Sequence, residues 1–173
     1  LHEALFRHTR EGKNQYSPMP GIPALRQAIA SKTEALYGRR VDADVEVTVT
    51  SGATEALFAA IHAVVGPGDE VIVFDPCYDC YEPAIQLAGG RAVHVPLLAP
   101  SFSVDWERVK SALSPRTRLV MINSPHNPSG ATLTRSDLDT LAELLRDSET
   151  LVLSDEVYEH IIFDGRRHEI VPA

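Results

Sequence analysis

From residue 45 onward, short apolar runs of strand length alternate with longer segments whose apolar residues recur at helical spacing. The pattern predicts strand 45–50, a helix over about 53–65, the turn Gly66-Pro67-Gly68-Asp69, strand 71–74, a helix over about 81–88 and strand 91–95. A loop at 96–103 leads to Asp105 as a helix cap and a helix to about 113. Then come strand Leu119-Val120-Met121-Ile122, a loop at 123–134, a helix over about 135–147, strand Leu151-Val152-Leu153 and a strand-like run Ile161-Ile162-Phe163. Such strands need cover on both faces, so the expected fold is α/β, three-layer α/β/α with a mainly parallel sheet. Ligands of these sheets bind at the carboxyl ends of the strands.

Ahead of this pattern, residues 1–16 hold a possible short helix around Leu5 and Phe6 and then turn polar. Ser17-Pro18-Met19-Pro20-Gly21 is a loop, followed by a helix with Pro23 in its first turn and an end at Gly38. The expected organisation is an N-terminal segment at 1–16 and a domain at 17–173. The chain opens at Leu1 and stops just after a strand-like run, so a fragment of a longer protein is expected. A net charge of −8, with no basic cluster longer than a pair, argues against nucleic acid or an anionic membrane as partner. No apolar run reaches the ~20 residues of a membrane span. With no signal peptide visible, a cytoplasmic location is expected.

Expected strand ends carry the polar residues. Ser51-Gly52-Ala53-Thr54 turns from strand to helix through a glycine, which aims free N–H groups and a helix dipole at one point, a seat for phosphate. The plainer alternative is a tight turn with a helix cap. Asp155 closes a buried strand, where an unpaired charge is unfavourable, so it either caps the next helix or pairs with a cationic heterocycle. Tyr78 either stacks on a planar ring or fills core, and Asn127 either bonds a ligand or serves an Asn-Pro turn.

Taken together, SGATEA, FDPCYDCYEP, NSPHNPSG and SDEVYEH, in this order and at these spacings, resemble the class I/II aminotransferases, pyridoxal-phosphate enzymes of fold type I. The likeness runs from Asn14-Gln15-Tyr16 to Phe163 and is greatest to the methionine aminotransferase branch, near the kynurenine and glutamine transaminases. It implies that the chain is the first part of the large domain of that fold, with pyridoxal 5'-phosphate as cofactor. By the same resemblance Ala53 and Thr54 hold the phosphate, Tyr78 stacks on the ring, Asn127 and Tyr158 bond the ring oxygen, and Asp155 bonds the ring nitrogen. Asp155 and Tyr158 are the implied catalytic residues. Tyr16 matches a tyrosine that reaches the phosphate of the neighbouring subunit, which implies a homodimer. The implied reaction moves an amino group from a methionine-like or aromatic amino acid to a 2-oxo acid.

That chemistry needs a Schiff-base lysine, yet the chain has only Lys13, Lys32 and Lys110, none in a Ser-x-x-Lys setting. The resemblance places the lysine, and the arginine for the substrate carboxylate, beyond Ala173. Competing readings are a C–S β-lyase on sulfur amino acids, which uses nearly the same socket, and a non-catalytic ligand sensor. A thioredoxin-like role for Cys77-Tyr78-Asp79-Cys80 conflicts with the element count. No metal site is expected, because a zinc site would have to recruit His94 or His126 without recognisable spacing. His126 and Tyr81 are left between lining a site and packing.

Overall fold

In the computed structural model, residues 1–171 are described; Pro172 and Ala173, the end of the expected 17–173 domain, lie outside the described residues. The chain divides into two units, residues 1–50 and residues 51 onward. In the first, α1 (His2–Arg10) buries no residue, whereas α2 (Pro23–Tyr37) buries Arg26 and Ala30. Proline in the first turn starts α2, and Gly38, at φ 71°, ends it in the left-handed conformation that glycine adopts without strain. Gly21 is needed for a different reason: a Cβ there would lie 2.7 Å from Cβ of Val49, whose N–H donates to the Pro20 carbonyl at 2.9 Å.

The expected strand at 45–50 does not form. Asp42 accepts the Asp44 N–H on its side chain (2.8 Å) and the Glu46 N–H on its carbonyl (2.8 Å), so the segment begins as a turn. Arg26 anchors that turn by donating to the Ala43 carbonyl (2.8 Å) and to Asp44 Oδ1 (3.2 Å). Residues 47–50 follow with no partner strand among the described residues.

The second unit holds a sheet of four parallel strands, β1 (Glu70–Asp75), β2 (Arg91–Pro96), β3 (Thr117–Asn123) and β4 (Leu151–Asp155), in the order β2-β1-β3-β4. Alternation along β1 and β3 sends side chains to two cores. Val71, Val73, Leu119 and Met121 pack against α3 (Ala53–Val64) and α4 (Tyr81–Leu87). Ile72, Phe74, Val120 and Ile122 pack with residues of α5 (Trp106–Ala112) and α6 (Arg135–Leu145). This is the expected three-layer α/β/α arrangement. Asp105 caps α5 by accepting the Arg108 N–H at 3.2 Å, and Thr134 with Asp137 forms a reciprocal capping box on α6. Ile161-Ile162-Phe163 is not a strand: the Glu159 and Ile161 N–H groups bond the Glu156 and Tyr158 carbonyls, which turns the chain instead.

Glu70 opens β1 with its side chain buried. It accepts from Ser114 Oγ (2.7 Å), Arg91 Nη2 (2.7 Å) and Arg116 Nε (2.8 Å), which tie the amino ends of the strands together. The Ser114 hydrogen bond first, and then the two guanidinium groups, hold its carboxyl down at about 2.

Candidate active site

Strand order reverses at β1: β2 lies on one side of it and β3 on the other, so the loops leaving β1 and β3 diverge and open a crevice at their carboxyl ends. A solvent-open cleft lies at this rim, lined by Ala53, Thr54, Tyr78, Asn127, Asp155 and Tyr158, among others. All six residues singled out in the second unit therefore share one cavity, although they come from four segments. Tyr16 belongs to the first unit and is fully exposed.

Each wall has a local cause. Gly52, at φ 92°, precedes the first turn of α3, where a helix leaves its leading N–H groups without intrahelical partners. The Ser51 N–H is bonded by the Glu55 carboxylate, which fixes the entry to the helix. Asp155 occupies the last rung of β4, in register with Asn123 of β3. The Asn123 amide donates to the Asp155 carbonyl (2.9 Å) while its oxygen accepts the Asn127 N–H (2.7 Å). One side chain thus sets the spacing between two lining residues. Asn123 opens the expected loop at 123–134, at the polar end of an apolar run, and that place is the signal for it in the sequence.

The Asp155 carboxylate accepts the Val157 N–H at 3.2 Å on Oδ1 and the Tyr81 hydroxyl at 2.6 Å on Oδ2. Tyr81 is buried, with its ring edge-on to Tyr78 at a centroid distance of 5.9 Å. Burial, and next the Asp155 hydrogen bond, push its phenol well above the ordinary tyrosine value, so it stays protonated and donates. Of the alternatives left open for Tyr81, the structure shows packing: it sits in the core rather than among the residues lining the cleft, and from there its hydroxyl holds the acid.

His126 does not line this cleft. It is buried, with Nδ1 against Ser129 Oγ at 2.7 Å, and burial lowers its basicity. It lines a larger, solvent-open cavity on the α5–α6 side, with Phe74, Leu97 and Phe102. That cavity contains none of the six residues, so size is a poor guide to the chemistry here. His168 pairs with Glu156 at 2.8 Å. Cys77 and Cys80 are half-buried free thiols, and burial is the first cause raising both above the ordinary thiol value, which argues against a redox pair. No lysine lines the cleft among the described residues.

Residues 2–172 match the family described as Aminotransferase class I and II. The chain belongs to this family. It is 53% identical over 173 residues to a methionine aminotransferase of Escherichia coli, covering 100% of this chain and 45% of that protein. To a probable N-succinyldiaminopimelate aminotransferase of Mycobacterium tuberculosis it is 45% identical over 159 residues, covering 91% of this chain and 40% of that protein. A crystal structure from Escherichia coli, described as identifying a methionine aminotransferase function, superposes with a TM-score of 0.96 at 53% identity, covering 98% of this chain and 45% of that one. The chain thus spans less than half the length of these aminotransferases. No helix among the described residues is long and apolar enough to cross a membrane.

Proposed function

We propose that the full-length protein is a pyridoxal-phosphate-dependent aminotransferase that moves the amino group of a methionine-like or aromatic amino acid to a 2-oxo acid. In this reading residues 17–173 form the first part of its large domain. The observation that carries it is the convergence of Ala53, Thr54, Tyr78, Asn127, Asp155 and Tyr158 on one cleft. The donor set fits the cofactor: leading helix N–H groups and a hydroxyl suit a phosphate, an amide and a phenol suit a ring oxygen, and a carboxylate suits a protonated ring nitrogen. Each Asp155 oxygen already accepts one hydrogen bond and retains capacity for another.

Ala53 binds phosphate through its N–H, and Thr54 through its N–H and hydroxyl. The Tyr78 face stacks on the ring, while Asn127 and Tyr158 donate to the ring oxygen. Asp155 holds a proton on the ring nitrogen. The bound cofactor supplies an electron sink for the pair left when the substrate loses its α-proton. Tyr81, by donating to Asp155, aims that carboxylate. Tyr16 reaches the phosphate of a neighbouring subunit in a homodimer, and the lysine that carries the proton lies outside residues 1–173.

The test is the visible spectrum of the full-length protein before and after L-methionine. A cofactor band that converts on addition, with 2-oxo acid formed in equal amount, is expected. A protein without a cofactor band overturns the reading, and a band unmoved by methionine removes methionine as substrate.

A further inference from the structure

Asp75, Cys77 and His94 offer a carboxylate oxygen, Sγ and a ring nitrogen that all lie within 4.8 Å of one another. Two rigid strands bring them together. Asp75 ends β1, and His94 stands opposite Val73 in the β1–β2 ladder, so Asp75 and His94 share the α4 face of the sheet. His94 Nδ1 donates to Asp75 Oδ1 at 2.9 Å, and its Nε2 faces Glu82 Oε1 of α4 at 3.8 Å. No spacing rule would find this set, since the cysteine and histidine meet only because β1 and β2 pair.

We propose that Asp75, Cys77 and His94 bind one thiophilic divalent cation of the zinc type, with water as the fourth ligand. Zinc ligands at about 2.0–2.3 Å from the ion stand roughly 3.3–3.8 Å apart in a tetrahedron, so closure requires side-chain adjustments of about an ångström. A mixed sulfur, nitrogen and oxygen set selects zinc or cobalt over magnesium or calcium, which prefer oxygen alone. On binding, the Nδ1 proton is lost from that nitrogen and Nε2 carries one in its place, facing Glu82, a carboxylate–histidine–metal relay. The Cys77 thiol releases its proton to solvent. Asp75 and Cys77 are half-buried and His94 is exposed, which leaves an entry path. Coordination at 75 and 77 would immobilise the segment that presents Tyr78 to the cleft. The site itself does not depend on the aminotransferase reading.

The experiment titrates the full-length protein with Co²⁺, read by its tetrahedral bands in the red, and then displaces it with Zn²⁺. One Co²⁺ per chain is expected. Cys77→Ser should abolish the bands and His94→Gln should weaken binding by about tenfold or more, while Cys80→Ser leaves it unchanged. Absence of tetrahedral bands in the unaltered protein overturns the proposal without any variant. So does a loss in Cys80→Ser equal to that in Cys77→Ser, or unaltered affinity in His94→Gln with its melting temperature retained.

Discussion

Tyr81 and Glu70 are single residues whose side chains act on charges in opposite ways. Tyr81 supplies one hydrogen bond to a carboxylate at the cleft, and loss of such a bond to a charged group amounts to about 1.5–3 kcal/mol. Tyr81→Phe in the full-length protein is therefore expected to lower kcat by roughly tenfold to a hundredfold with cofactor affinity little changed; equal falls in both would mean a packing defect instead. Glu70 works on stability. Its folded-state value, about 2 against an ordinary 4.5, means that its contribution is complete above 4.5 and is lost as pH falls toward 2. Glu70→Gln should lower stability at neutral pH by about 1–3 kcal/mol. The gap from the parent should narrow between pH 4.5 and 2, as chemical denaturation across that range would reveal. Neither role was legible in the sequence, because each depends on partners at least 21 positions away in the chain.

At the scale of elements, propensity and punctuation predicted what local chemistry decides. Gly38, Asp105 and the Gly66–Asp69 turn bounded their helices and strands as read. The two failures share a cause. Apart from Glu46, residues 45–50 and 161–163 are β-branched or apolar, yet a strand exists only where another pairs with it, and periodicity does not report partners. The α6 capping box gives a direct check. Thr134→Ala removes the acceptor for the Asp137 N–H and should lower stability by about 1 kcal/mol, read as a shift in denaturation midpoint with an unchanged slope. A change in slope would mean that the cap also shapes the unfolded state.

At the scale of the whole molecule, the arrangement of site residues was readable because the rule for parallel sheets converts chain order into position: polar groups after strands collect at one rim. Tyr16 lies in the other unit, before the strands, where that rule does not apply. Among the described residues β4 borders the sheet with no strand on its outer edge, and Val157, Ile161 and Phe163 are exposed. Residues 1–173 made alone are accordingly expected to unfold over a broad range, with exposed strand edge and apolar surface promoting association. A sharp, reversible, concentration-independent melt by calorimetry would refute this. The register of Asn123 with Asp155 has a different kind of consequence. The charge at the heart of the cleft is mounted on the hydrogen-bonded lattice of the sheet, whereas the segments at 97–104 and 129–133 are loops attached to that lattice. Insertions and deletions in those loops can accumulate without displacing the acid.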